Sequence, residues 1–203
     1  MIRGLVVVLM VVALSVSSAQ PIQAGFLYGT DRQTDLLYSI DTTTGRATPI
    51  GPLGTSEMVG LAYDSDSDTL YGSDRTTQLL YAINASTGRA MPIGPMNLSA
   101  VWSLVYDANS DVLYGFDVNI ERLAVFDPST GNVASVLGPS GTRDVLGLAF
   151  DPNSDVLYGV TPWSDRLYRF NTTTGAATAV GPLHTPAMQG LAFDPVSNVL
   201  YGT

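Results

Sequence analysis

His184 is the only histidine among 203 residues. It is also the one side chain whose ordinary pKa suits proton transfer near neutral pH. As a general base it would need an acidic partner, and Asp144 and Glu57 stand in loops of corresponding position. One histidine cannot build the usual two- or three-histidine metal site. The absence of cysteine removes disulfides, thiol catalysis and cysteine-type zinc sites. No nucleophile elbow or phosphate loop is present. A solvated loop histidine is therefore the better reading of His184. Asp64, Asp66 and Asp68 alternate at the spacing of a calcium loop. That loop needs Gly at position 69 and Glu at 75, where this chain has Thr69 and Arg75, so a structural turn is expected. No catalytic set, metal or cofactor is expected. What remains is binding chemistry, carried by Arg32, Arg75, Trp102, Arg143, Trp163 and His184. Arginine and aromatic side chains are the usual anchors of protein interfaces. An exposed tryptophan can also stack on a sugar.

The composition says what kind of scaffold holds these residues. Eighteen acids face nine basic residues, for a net charge of −9, and every basic residue is Arg. Glu57 and Glu121 are the only glutamates. A chain without Lys and almost without Glu lacks two of the best surface helix formers. Its 20 Gly, 12 Pro and 10 Tyr belong to turns and strands. With 45% hydrophobic residues the chain is foldable, and an all-β class is expected. The acidity argues against nucleic acid and against an anionic membrane surface.

The first residues read as an export leader. Arg3 supplies a positive charge, Gly4 to Val16 form an apolar run, and Ser17 and Ala19 offer small residues for cleavage. The run falls short of the roughly 20 residues that span a bilayer. Residues 1–19 are expected to be removed, leaving eight Arg against 18 acids. The mature domain, 20–203, is expected to be secreted, extracellular or periplasmic, with no membrane association.

One repeat accounts for the rest of the chain. Leu-Tyr-Gly occurs at 27–29, 70–72, 113–115, 157–159 and 200–202, at spacings of 43, 43, 44 and 43. An Asp-rich turn precedes the last four, opening at Asp64, Asp107, Asp151 and Asp194. A Thr-Gly turn follows the first four, ending at Gly45, Gly88, Gly131 and Gly175. Gly-Pro then recurs at 51–52, 94–95, 138–139 and 181–182. The repeats run over about 27–69, 70–112, 113–156 and 157–199, with a final strand at 200–203. Each unit reads as four short strands, A to D. A lies near 60–63, B holds Leu-Tyr-Gly, C lies near 36–40, and D near 47–50. The A–B and C–D links carry turn chemistry, so both are antiparallel hairpins.

Several strands are apolar on both faces, such as Leu79 to Ile83 and Val145 to Phe150. A sheet wetted on one side should alternate; one covered on both sides need not. Four-stranded antiparallel units of about 43 residues, each buried by its neighbours, describe the blades of a β-propeller. Strand A carries Gly60, Ala62, Ser103, Gly147, Ala149, Gly190 and Ala192, small residues suited to the crowded axis. The chain holds four copies of A, C and D but five of B. A closed four-bladed ring, an open arc and a fragment of a longer product all fit that count. An open propeller, or one completed by a second copy, is preferred.

The segments Gly190 to Thr203 and Leu27 to Asp31 resemble the YWTD and NHL classes of propeller repeat, and the resemblance extends over 26–203. The pattern is most similar to secreted bacterial propellers built on Leu-Tyr-Gly repeats. The Trp of the YWTD motif is Gly here, at 29, 72, 115, 159 and 202. Its Asp survives as Asp31, Asp74 and Asp117 and is Thr161 in the fourth copy. The resemblance implies the fold more than an activity, because such folds host unrelated functions.

In a propeller the D–A and B–C links emerge on one face. Here those links diverge among the repeats, while the A–B and C–D turns are near-copies. Variable loops on a rigid scaffold are where binding is expected. The sequence thus points to a non-enzymatic binding or scaffold module that recognises a protein or glycan through this face. A propeller lyase or hydrolase using His184, and a structural or adhesive repeat, are the alternatives.

Overall fold

The computed structural model describes residues 10–12, 25–185 and 187–203. Among them every regular element is a strand. The first sheet orders β1 (Met10–Val12), β2 (Phe26–Asp31), β3 (Leu36–Asp41) and β4 (Ala47–Pro52). The second has β5 (Met58–Asp64), β6 (Thr69–Asp74), β7 (Leu79–Ile83) and β8 (Ala90–Pro95). The third has β9 (Val101–Asp107), β10 (Val112–Asp117), β11 (Arg122–Phe126) and β12 (Val133–Pro139). The fourth has β13 (Gly147–Asp151), β14 (Val156–Thr161), β15 (Arg166–Phe170) and β16 (Ala177–Pro182). A fifth, two-stranded sheet pairs β17 (Leu191–Asp194) with β18 (Val199–Gly202). All pairings are antiparallel between sequence neighbours, as the repeat predicts.

The first strand of each sheet lies at the hub. β5 packs on β9, β9 on β13, β13 on β17, and β1 touches both β17 and β5. Sheets arranged in this way around an axis form a β-propeller. The small residues of strand A are there because the hub has no room. A Cβ on Gly147 would stand 2.8 Å from the Leu191 backbone nitrogen, and one on Gly60 would stand 3.0 Å from that of Leu104. Buried hydroxyls stitch one unit to the next: Ser73 Oγ donates to Val101 O at 3.0 Å and Ser103 Oγ to Val145 O at 3.2 Å.

The expected incomplete propeller is present at the outer strands, and the inner strands add a closed ring to it. Among the described residues the inner strands close into a ring, while the fifth sheet holds two strands where the others hold four. A fifth hub strand, β1, closes that ring. Met10–Val12 lies inside the apolar run read as an export leader; the remainder of residues 1–19 lies outside the described residues. β1 pairs Met10 with Tyr28, Val11 with Leu27 and Val12 with Phe26. In the second blade Asp64 takes the place of Val12, opposite Thr69, so the carboxylate that opens an A–B turn has no counterpart in β1. Cleavage after residue 19 would remove this strand and bare the inner edge of β2.

Apolar clusters fill the spaces between blades. One joins Leu80 of β7 with Leu104, Leu113 and Phe126 of the third blade; the next joins Phe116 and Leu123 with Leu148, Leu157 and Phe170 of the fourth. The glycine that replaces the motif tryptophan makes way for these groups. A Cβ on Gly115 would stand 2.8 Å from Val101 Cγ1 and 2.9 Å from Phe126 Cε2, so a larger residue would displace core side chains.

The Gly-Pro landmark has a matching role at the rim. A Cβ on Gly51 or Gly94 would overlap the carbonyl oxygen of Thr87 or Thr130, in the C–D turn of the following blade, and one on Gly138 would stand 2.8 Å from that of Thr174. Only a residue without a side chain lets the strand and the turn touch. Gly94→Val should therefore destabilise the protein by roughly 1–3 kcal/mol, measured by urea unfolding with an unchanged m-value. Stability equal to that of the parent would mean that the strand and turn are not in contact.

Candidate functional site

The B–C and D–A links share one face and are bonded to each other. Leu53 N donates to Asp35 O at 2.9 Å, Met96 N to Gln78 O at 3.0 Å, and Leu183 N to Asp165 O at 2.9 Å. The motif aspartate organises the same face. Asp74 is buried, and its carboxylate accepts the N–H groups of Thr76 and Thr77, both at 2.8 Å, and the hydroxyl of Thr55. Burial alone would raise its pKa, but these hydrogen bonds outweigh burial and hold it below the ordinary carboxylate value. Asp117 likewise accepts Asn119 N at 2.8 Å, Ile120 N at 3.2 Å and Ala100 N at 3.1 Å. Each such carboxylate ties a B–C turn, and in these two cases also the preceding D–A loop, into one platform.

On that platform three of the expected residues meet. Glu57, from the D–A loop between the first two blades, receives Arg32 Nε at 3.0 Å and Arg75 Nη2 at 3.2 Å. The Arg75 guanidinium in turn lies over the Trp102 ring, 5.3 Å from its centroid. Arg32, Glu57, Arg75 and Trp102 thus form a strip across three blades. Such half-exposed pairs add little stability, up to about 1 kcal/mol each. Their effect is to hold a planar cation and an aromatic ring in fixed positions. The sequence offers Glu57 only as a partner for His184. Its role as the common acceptor requires two arginines to be brought together from separate repeats.

Arg143, Trp163 and His184 lie on the same class of loops, around the fourth blade, and all three are exposed. Trp163 is 79% exposed. Among the described residues none of the three hydrogen-bonds or ion-pairs with the strip. His184 has a structural explanation. It occupies the D–A loop position held by Gly54, Asn97 and Gly141 in the other repeats, and all four have positive φ, +77°, +56°, +75° and +56° in chain order. That conformation costs Gly nothing and costs any residue with a Cβ some strain, which Asn and His tolerate better than most. Its proposed partner Glu57 is engaged by two arginines.

The Asp64 turn is structural in form. Asp64 Oδ1 accepts Asp66 N at 2.9 Å and Ser67 N at 3.3 Å, and Asp107 and Asp151 do the same in the next two blades. These turns surround the mouth of an apolar axial cavity of about 160 Å³, lined by Leu61, Leu104, Leu148 and Leu191 from the four repeat-encoded hub strands. Burial, followed by hydrogen bonds to Asp68 and Asp111, raises the phenols of Tyr63 and Tyr106 well above their ordinary value. They stay neutral and donate to those carboxylates.

No protein-family model matches the sequence, and no curated protein matches it. Solved structures do. The fold is similar to a chain in a nidogen/laminin complex, with a TM-score of 0.65 and 19% identity over 88% of this chain and 67% of that one. It is also similar to a structural-genomics protein of unknown function from Bacteroides thetaiotaomicron, with a TM-score of 0.63 and 18% identity over 85% of this chain and 52% of that one. The chain is a β-propeller. At these identities the likeness is one of fold, and this propeller spans about half the length of the second neighbour.

The turn explanation of His184 is testable. His184→Gly should raise stability by about 1 kcal/mol by relieving the left-handed backbone, read from the unfolding midpoint. A loss of stability would mean that the imidazole makes contacts that offset the strain.

Proposed function

We propose that this chain is a secreted binding module that recognises a protein through the B–C/D–A face of its propeller. The observation that carries the reading is the strip Arg32–Glu57–Arg75–Trp102. Here a guanidinium stacked on an indole is held in place on a rigid platform, with part of its surface open. Pre-organised arginine and tryptophan lose little conformational freedom on binding and are the groups most often dominant at interfaces. The nidogen/laminin neighbour was solved as a protein complex, which fits the use of such a fold for protein recognition. The leader-like residues 1–19 support export, and the Leu-Tyr-Gly pattern supports kinship with secreted bacterial propellers.

Trp163 favours a second reading. A tryptophan exposed over 79% of its surface on the same kind of loop is suited to stacking on a sugar ring, so a glycan ligand is the alternative partner. An enzymatic reading is weaker. His184 fills a turn position, and the hydrogen bond beside it is structural, with Thr185 N donating to Asp165 Oδ1 at 3.0 Å.

Arg75→Ala and Trp163→Ala separate the two ligands. Extracellular proteins of the source organism and a glycan array are the probes. For a protein ligand, retention by Arg75→Ala should fall at least tenfold, with the unfolding free energy changed by no more than about 1 kcal/mol. For a glycan ligand, array binding should fall with Trp163→Ala. Undiminished capture by both variants would contradict the assignment to this face.

A further inference from the structure

The A–B turn face, opposite the Arg32–Trp102 strip, carries a carboxylate without a partner. At two junctions a side-chain amide bridges the A–B turns of successive blades. Asn109 Nδ2 donates to Pro152 O at 3.0 Å and to Asp155 Oδ1 at 3.4 Å. Asn153 Nδ2 donates to Pro195 O at 3.0 Å and to Asn198 Oδ1 at 3.2 Å. At the junction of the second and third blades the same turn position is Asp66. The corresponding acceptors are Ala108 O and Asp111 Oδ1, and a carboxylate has no hydrogen to give them. Among the described residues no group donates to the Asp66 carboxylate, and both ion pairs belong to Glu57 on the other face. Acceptors thus stand on both sides of this junction, where the next two junctions hold a donor.

The junction borders the axial cavity. Ser65 and Ala108, one on each side, both line this space of about 160 Å³. Tyr63, Tyr106, Phe150 and Phe193 line it two residues beyond the four hub leucines. Charge has one sign here. The four A–B turns, 64–68, 107–111, 151–155 and 194–198, hold eight aspartates and no basic residue. Burial raises the Tyr71 phenol, and the charges of Asp64 and Asp111 add to the rise, so carboxylates of both turns act at this junction. Aromatic walls and surrounding carboxylates favour a cation. The leucines favour an apolar group, and the volume is close to the roughly 150 Å³ that holds benzene in an apolar protein cavity.

We infer that the axial cavity binds a primary organic ammonium ion with a compact apolar group, of the size of benzylamine. The apolar group enters among the leucines. The ammonium stands at the turns, where its N–H groups serve Asp66, Ala108 O and Asp111 in place of the amide that Asn109 and Asn153 supply in the following blades. A bare divalent cation would satisfy the carboxylates and leave the apolar space unfilled. A neutral molecule would fill the space and leave Asp66 unpaired. The site is separate from the B–C/D–A face and does not rest on the function assigned there.

The probe is benzylamine, added to the full chain at neutral pH and low salt. Calorimetry should show saturable one-to-one binding, and the amine should raise the unfolding temperature. Benzyl alcohol keeps the ring without the charge, and methylamine keeps the charge without the ring; each should bind at least about tenfold more weakly. Asp66→Asn supplies the amide present at the other junctions. It should leave the unfolding temperature of the free protein equal to or above the parent's and weaken benzylamine by about tenfold or more. Arg75→Ala, on the other face, should leave benzylamine binding unchanged. No binding of benzylamine at millimolar concentration, equal binding by Asp66→Asn, or equal binding of methylamine would each overturn the proposal. So would stabilisation by calcium ion where benzylamine gives none.

Discussion

The structure depends on one constraint: a blade cannot cover its own faces. Each four-stranded sheet is apolar on both sides and is kept dry only where the next sheet lies against it. The contact is close at two radii. At the hub, small residues such as Gly60 and Gly147 let neighbouring inner strands approach within about van der Waals distance. At the rim, Gly51, Gly94 and Gly138 receive the turn of the following blade. Between these radii, leucines and phenylalanines with almost no exposed surface fill the wedge, and truncating any of them would cost about 2–5 kcal/mol. The B–C and D–A loops are firm because the strands beneath them are fixed in this way from both sides.

The platform at the loop face follows from the same repetition. In the second and third blades a buried aspartate at the end of strand B, Asp74 or Asp117, gathers the amides of its turn and of the adjoining loop, so turn and loop are held together there. Charge then sorts them. Glu57 draws in Arg32 and Arg75 from neighbouring blades, and Arg75 settles on Trp102. A chain with 18 acids and nine arginines has placed two of those arginines and a tryptophan in one strip.

Much of this was legible in the residues. The interval of Leu-Tyr-Gly located every four-stranded unit. The turn residues marked the hairpins, and the small residues of strand A marked the hub. Three things were hidden, each for a physical reason. β1 bears none of the repeat's landmarks, so its pairing with β2 could not be read from periodicity. The left-handed turn positions are filled by Asp35, Gln78, Glu121 and Asp165, of which Gln and Glu are not turn residues by type; each carbonyl accepts an amide from the link that follows the D strand of its own blade, from Leu53, Met96, Ser140 and Leu183, and that contact fixes the turn. Glu57 gains its importance only from arginines 25 and 18 positions away, and nothing in local spacing signals such a meeting.

Where a sheet has two described strands instead of four, its protection should be lower. Local stability in a repeat structure follows the contacts each unit makes with those beside it. Native-state hydrogen exchange resolved by residue tests this directly. The amides of β10, enclosed by complete blades on both sides, should be among the slowest in the protein. Those of β18, Val199 to Gly202, should exchange at least about 100-fold faster than the matching residues Val112 to Gly115. Equal protection of the two strands would contradict the dependence of each blade on its neighbour.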